Sequence, residues 1–276
     1  MFSRVNIHMI GAFSSAAGLG NPVYVVYDYG KWSFEKRQAF ASFVNVSECV
    51  FIDNVKYYGN SKAVVNLQIF NPNNVMKFAG HPLIGAVRSF WEYLKIDEGI
   101  IHTGPWRVPF VSEHEQESVL SKIMIPDPSV KKYDRSADLC ALFEVPVRAL
   151  PIYDCGPRHV LLRVPKISDL RNFDPQWESL KKFEDIALNV YFAEGGYIEN
   201  RMFSPSYGVY EDRATGSAVI PLLKELRREN PSRTSINVSQ GILRKSGVSM
   251  IGQYDPKSGS YTLSGMTTFI LEGISF

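Results

Sequence analysis

The 276 residues contain no run of five basic side chains, no CxxC motif and no apolar stretch long enough to span a bilayer. Each absence removes a class of function. With a formal charge of only +2, the chain offers no electrostatic footprint for nucleic acid or an acidic membrane surface. Cysteine is scarce: Cys49, Cys140 and Cys155 are an odd set at wide spacing, which argues against a disulfide framework or a structural zinc site and fits a reducing cytoplasm. Low-complexity segments are missing as well. The opening Met1 to Gly20 loosely imitates a signal peptide through Arg4 and the small residues Ser14 to Ala17, but Asn6 and His8 interrupt any apolar core and the segment reads as a first strand. What remains is an ordinary globular composition, 45% hydrophobic and 21% charged, sufficient for one large or two ordinary domains.

One pattern is present twice. Ile69-Phe70-Asn71-Pro72 leads to Phe78-Ala79-Gly80-His81-Pro82 and an apolar stretch from Leu83 to Leu94. Met202-Phe203-Ser204-Pro205 leads to Glu211-Asp212-Arg213-Ala214-Thr215-Gly216-Ser217-Ala218 and then Val219 to Leu226. Phe70 and Phe203 lie 133 positions apart, which predicts two similar halves facing one cleft, each ending a strand in a glycine turn that opens a helix. The first N–H groups of a helix lack intrahelical partners and, with the helix dipole, favour an anion by a few tenths to about 2 kcal/mol. Two such starts aimed into one cleft would hold a small acid or an enolate-like intermediate. The plainer alternative is that Gly80 and Gly216 only permit tight turns while Asp212 and Ser217 only cap a helix.

Periodicity predicts helices over Ser33 to Val44, Leu83 to Leu94, Ser136 to Phe143 and Ser217 to Arg228. In the last, Val219, Leu222, Leu223 and Leu226 form a buried stripe and Lys224, Glu225 and Arg227 face water. Strands are expected at Val23 to Tyr27, Cys49 to Asp53, Ala63 to Phe70, Ser121 to Ile125, Val160 to Val164, Asn189 to Phe192, Ser235 to Val238, Val248 to Tyr254 and Tyr261 to Phe269. The polar stretch Ser112 to Ser118 is the natural boundary, giving halves at 1–116 and 117–265, with 266–276 returning to the first. The expected class is α+β, each half a curved, mainly antiparallel, barrel-like sheet around a central helix.

A third segment, Asn45-Val46-Ser47-Glu48-Cys49-Val50-Phe51, sets a carboxylate at the entrance to an apolar strand. An extended backbone turns Glu48 and Cys49 to opposite faces, so both cannot serve one site. Beside Val46, Val50 and Phe51 a carboxyl would have a raised pKa and exchange protons with carbon acids near neutral pH. An exposed glutamate ending a loop is the alternative.

Taken in order, Gly20-Asn21-Pro22, Ser47-Glu48, Phe78-Ala79-Gly80-His81-Pro82 and Glu211-Asp212-x-Ala214-Thr215-Gly216-Ser217-Ala218 resemble the PhzF-like family, which is related to diaminopimelate epimerases and proline racemases. The likeness runs from about residue 5 to the C-terminus. Gly156-Pro157-Arg158-His159-Val160 and Arg201-Met202-Phe203-Ser204-Pro205 add to it. The resemblance implies a diaminopimelate epimerase-like fold, a homodimer, and neither metal nor organic cofactor. It further implies isomerisation of trans-2,3-dihydro-3-hydroxyanthranilate by moving a proton from C3 to C1. Glu48 matches the family's acid/base. His81 and Asp212 match groups that orient the substrate or relay protons, Gly80, Gly216 and Ser217 would supply backbone N–H groups to its carboxylate, and Ser47 would also bind the substrate. No cysteine stands in either turn, which speaks against a two-thiol racemase.

Three positions depart from the family pattern. Asn71 replaces a usual Thr, Val75 replaces a usual Glu, and Arg213 stands where a small residue or proline is common. These bear on substrate more than on reaction type. Arg158 and His159 are further candidates from the second half. Two other classes stay open: an isomerase or epimerase of another small cyclic or amino acid, and a non-catalytic protein of the same fold that binds a small acid or a partner.

Overall fold

The computed structural model describes residues 5–14, 20–115, 118–241 and 248–275. Residues 15–17 of the signal-like stretch, and the expected boundary between 116 and 117, lie outside the described residues.

Eight strands close into a barrel: β1 (Val5–Ala12), β2 (Asn21–Tyr27), β3 (Glu48–Tyr57), β4 (Lys62–Phe70), β6 (Glu98–Thr103), β7 (Trp106–Glu115), β8 (Ser118–Ile125) and β17 (Ser260–Ser275), with β17 pairing back to β1. The two-residue β5 (Val75–Met76) pairs antiparallel with Ile69–Phe70 at the end of β4. Neighbours are antiparallel except β2–β3 and β4–β6. Helix α2 (Gly80–Ser89) runs among these strands, and all ten of its residues are buried. Its apolar residues are not confined to one stripe, the pattern of a helix enclosed on every side. Gly85 permits the closest approach, since a Cβ there would lie 2.2 Å from Val23 Cγ1. A π-helical turn, Phe90–Leu94, extends the helix to Lys95, whose left-handed backbone stops it.

The remaining strands repeat the same order of pairings. They are β9 (Ser129–Lys132), β10 (Pro151–Asp154), β11 (Arg158–Arg163), β12 (Ala187–Glu194), β13 (Tyr197–Ser204), β14 (Val209–Asp212), β15 (Ser235–Gln240) and β16 (Val248–Asp255). The parallel pairs β11–β12 and β13–β15 stand where β2–β3 and β4–β6 stand in the barrel. Strand β17 joins the two sets of strands into one continuous sheet: Ser260–Ser264 pair with β16, and Thr267–Ser275 pair with β1.

Helix α6 (Gly216–Glu229) packs on β11, β15, β16 and β17. Its stripe Val219, Leu222, Leu223 and Leu226 is buried as the spacing predicts. Lys224, Glu225 and Arg227 are half-buried, not simply solvated. Each reaches a neighbour: Lys224 pairs with Asp127 at 2.5 Å, Glu225 accepts from the Tyr153 hydroxyl at 2.7 Å, and Arg227 lies 3.8 Å from the Tyr254 ring centre. Short helices α3 (Ser136–Leu142), α4 (Ile167–Arg171) and α5 (Trp177–Leu180) cover a second apolar cluster around Leu162, Leu188 and Phe203.

Helix α1 (Phe34–Val44) covers a third cluster, with Trp32, Phe51 and Phe70 beneath it. Ser33 caps its start by accepting from Lys36 N, and Asn45 ends it in the left-handed conformation. A buried fork locks α1 to the barrel: Arg37 donates to both oxygens of Asp28 at 2.9 and 2.8 Å, and its third nitrogen meets Asp53 at 2.7 Å. The turn at Asn45 delivers the chain to β3, whose first residue is Glu48.

Candidate active site

A cleft of about 640 Å³ opens where the two helix starts meet, and it gathers Ser47, Glu48, Gly80, His81, Asp212, Gly216 and Ser217. These seven residues expected from the sequence therefore line one cavity, together with the further candidate His159 but without Arg158. The helix starts touch: a Cβ on Gly80 would lie 2.9 Å from Ser217 N, and one on Gly216 would lie 2.8 Å from Phe13 Cζ. Only glycine lets the two backbones come so close.

No side chain caps either helix. The N-cap of α2 is Ala79 and that of α6 is Thr215, whose hydroxyl is turned to Asp212. The alternative in which Asp212 and Ser217 merely cap α6 is thereby removed. The first residues of both helices, Gly80, His81, Gly216 and Ser217, line the cleft, a setting that favours an anion.

Glu48 is 14% exposed at the cleft wall, and its Oε2 lies 3.2 Å from His81 Nδ1. The contact is not an ion pair. Burial drives the His81 pKa down to about 3, partly countered by a hydrogen bond from the ring to the Pro22 carbonyl, so the imidazole is neutral. The Glu48 carboxyl is pushed well above its usual range, first by burial and then by the nearby Asp212 carboxylate. Glu48 Oε2 and His81 Nε2 have no hydrogen-bond partner among the described residues. Of the apolar neighbours expected around Glu48, only Val46 lines the cleft. Val50 and Phe51 point into separate cores on the two sides of β3.

Asp212 is treated differently. Burial raises its pKa, but donors oppose this from several directions. Asn21 Nδ2 donates to Oδ1 at 2.9 Å, Thr215 Oγ1 donates to Oδ2 at 2.8 Å, and the backbone N–H groups of Arg213 and Ala214 contribute. Two carboxyls thus share a cleft in which one is desolvated and the other is heavily hydrogen-bonded. That arrangement separates their proton affinities and suits acid/base chemistry.

His159 lines the cleft and is fully buried, with its Nε2 3.0 Å from Ser217 Oγ and its pKa driven to about 3 by burial. Arg158 does not line the cleft and pairs with Asp185 at 2.7 Å. The three departures also find places. Asn71 Oδ1 accepts from the N–H groups of Asn73 and Asn74 at 2.8 and 2.7 Å, forming an Asx turn at the cleft edge. Val75 is exposed on β5, and Arg213 is exposed and outside the cleft lining. Neither adds or removes charge inside the cavity. Cys49 is sealed in the core beneath α1, with a thiol pKa pushed up to about 12.

The sequence profile of the phenazine biosynthesis-like protein family (PhzC-PhzF) matches residues 10–273. The chain belongs to this family. Trans-2,3-dihydro-3-hydroxyanthranilate isomerase of Pseudomonas aeruginosa is 34% identical over 239 residues, covering 85% of this chain and 84% of that protein. The enzyme of the same name from Pseudomonas chlororaphis is also 34% identical, with the same coverage. Among solved structures, the phenazine biosynthesis protein of the PhzF family from Bacillus anthracis superposes with a TM-score of 0.79 over 100% of both chains at 17% identity. The PhzF fold explains why two segments 133 residues apart converge on one cavity.

Some residues of the PhzF-like site carried no role in the sequence reading. Asn21 and Thr215 stood inside quoted motifs, yet only the structure shows that both donate to Asp212. Asn189, Asn200 and Gln240 lie behind the cleft on β12, β13 and β15 and are fully buried. For Asn189 the available signal was a lone amide inside the apolar run of β12, whereas Asn200, set between Glu199 and Arg201, offered none. Gln240, at the end of β15, gave none.

Proposed function

We propose that the protein is a PhzF-type isomerase that moves a proton from C3 to C1 of trans-2,3-dihydro-3-hydroxyanthranilate, giving an enol that tautomerises to an aminoketone. The observation that carries the reading is the buried Glu48 carboxyl, raised in proton affinity beside a hydrogen-bonded Asp212 in a cleft between two uncapped helix starts. The names of the relatives at 34% identity support the choice of substrate.

In this mechanism the substrate carboxylate lies against the N–H groups at Gly80, Gly216 and Ser217. The amino group faces Asp212. Glu48 in its ionised form takes the C3 proton, and the negative charge that develops is drawn toward the carboxylate, where helix dipoles stabilise it. A raised proton affinity makes Glu48 a stronger base than an exposed carboxylate, and the same group then returns the proton at C1. His81 is neutral with its Nδ1 3.2 Å from Glu48 Oε2, so it brings no positive charge that would lower the proton affinity of the carboxyl.

The same family likeness supports a homodimer, and lobes at 1–116 with 266–276 and at 117–265. Analytical ultracentrifugation of the full chain checks the first, and a stoichiometry of one would refute it. For the reaction, proton NMR of the substrate in D₂O follows both consumption and deuterium entry. Turnover by the wild type with deuterium at the new C–H supports the proposal. A folded wild type that leaves the compound untouched overturns it.

A further inference from the structure

Behind the cleft, a chain of buried side chains joins Asp212 to Ser217 by the long way round. Gln240 Nε2 donates to the Asp212 carbonyl at 2.9 Å and to Thr215 Oγ1 at 3.0 Å, and Thr215 in turn donates to Asp212 Oδ2. Gln240 Oε1 accepts from Thr215 N at 3.3 Å and from Asn200 Nδ2 at 3.0 Å. Asn200 Nδ2 also donates to Asn189 Oδ1 at 3.2 Å. Asn189 Nδ2 donates to the Ala187 carbonyl at 3.1 Å and to His159 Nδ1 at 2.9 Å, and His159 Nε2 meets Ser217 Oγ at 3.0 Å.

The direction of every bond in this chain is fixed by backbone groups that cannot change roles. A carbonyl only accepts, so the Ala187 oxygen requires the nitrogen of Asn189 on its side, and the Asp212 oxygen requires the nitrogen of Gln240. The Thr215 N–H requires the oxygen of Gln240. Asn200 must then present its nitrogen to the oxygens of both amides. With Asn189 donating to Nδ1, that nitrogen is the acceptor of the His159 ring, so the proton sits on Nε2 and points at Ser217 Oγ. Ser217 accepts there, and its own hydrogen is left to donate into the cleft. At the far end, Thr215 receives from Gln240 and therefore gives its hydrogen to Asp212.

The geometry points to His159, Asn189, Asn200 and Gln240 as positioning residues: a one-way hydrogen-bond chain that presents Ser217 to the ligand as a donor and holds Asp212 as an acceptor. The inference rests on the proposed proton-shift site and deepens it. It assigns the cleft a polarity, a donor end for a carboxylate and an acceptor end for an amine, so its ligands are small amino acids with the two groups on neighbouring carbons. Asn189, Asn200 and Gln240 touch no ligand in this account and act wholly through the two cleft residues.

Two measurements on the full chain test it. The first is nitrogen-detected NMR of histidine-labelled protein, which reads the tautomer of His159 whether or not the enzyme is active. The neutral Nε2–H form across pH 6–8 is the expected result, and the Nδ1–H form overturns the inference. The second is a double-mutant cycle on turnover of trans-2,3-dihydro-3-hydroxyanthranilate with Ser217→Ala, His159→Leu and the pair. Loss of a donor to a charged group predicts that each single change raises KM roughly ten- to a hundred-fold with a smaller effect on kcat. The pair should be no worse than Ser217→Ala alone. His159→Gln, whose amide can donate from near the Nε2 position, should restore most of the loss. Multiplicative effects in the pair would overturn the inference. If His159→Leu does not fold, the tautomer and the Gln variant decide. If wild type turns over no substrate, the proposed reaction fails; the cycle is then read as anthranilate affinity by fluorescence titration, and the same pattern is required.

Discussion

Replacing Glu48 by Gln tests the reaction and the electrostatics of the cleft together. Gln keeps the size of the side chain and removes only its capacity to take and return a proton. Positioned acid/base groups contribute about 10²–10⁴-fold to rate, so kcat should fall by that factor, or about 3–5 kcal/mol in the barrier. Stability should move the other way. Burial and Asp212 raise the folded-state pKa of Glu48 above its ordinary 4.5, so the wild type holds this proton more tightly when folded than when unfolded. The associated stability is fully present below pH 4.5 and is lost as pH rises through the folded value. Each unit of upward shift corresponds to about 1.4 kcal/mol. The Gln variant has no charge to bury, and should match the wild type in urea melts at pH 5 and exceed it at pH 9. Deuterium uptake from D₂O, followed by NMR, measures the chemistry. A folded variant that keeps more than a tenth of the wild-type rate, or one less stable than wild type at pH 9, would refute the reasoning.

Three other outcomes follow from the geometry. Asp212→Asn removes a charge that raises the Glu48 pKa, so the acidic limb of the kcat/KM profile should shift to lower pH, and an unmoved limb would show that the two carboxyls do not communicate. Gly80→Ala inserts a methyl group 2.9 Å from Ser217 N; it should cost about 1–3 kcal/mol in chemical denaturation and raise KM by separating the helix starts, and a neutral effect on both would contradict their close contact. His159 has a depressed folded pKa near 3, so its neutral burial stabilises the protein above pH 6.5 and that contribution is lost as pH falls through 6.5 toward 3. Relative to His159→Gln, the wild type should lose about 2 kcal/mol between pH 8 and pH 5, and parallel pH curves for the two proteins would refute the assignment.

The elements legible in the sequence were those whose burial pattern is local. The β-branched runs of β2, β3 and β4 face the interior on both sides or alternate cleanly, and the starts of α2 and α6 are marked by their glycines. Strand β13 was missed because its interior holds Glu199, Asn200 and Arg201, which read as a loop. Each finds a partner in the fold: Glu199 accepts from Arg171 and from Tyr197 at the start of the same strand, Asn200 Nδ2 donates to two neighbouring amides, and Arg201 pairs with both oxygens of Glu211. Strands β6 and β7 were missed for a related reason, since Glu98, His102, Arg107 and Pro109 break the apolar alternation. The site was legible as far as its glycines and carboxylates. The amide chain behind it was not, because its meaning lies in bonds between strands distant in sequence. Nor did the resemblance foretell that Asn71 closes its own turn.

The double service of β17 bears on how the molecule comes to be folded at all. During synthesis, β1 has β2 for company on one side and β8 has β7, but the outer edges of both wait for residues 260–275. The pairing of Val5 with Ser275 joins residues almost a whole chain length apart. Until that strand emerges from the ribosome, the nascent chain carries two open β edges and an apolar central helix with an incomplete wall, the surfaces on which chains aggregate. Long-range pairing of this kind is slow to form. Completion of the barrel is therefore a late event, and a truncation that stopped before β17 would leave β1, β8 and β16 each without one partner strand.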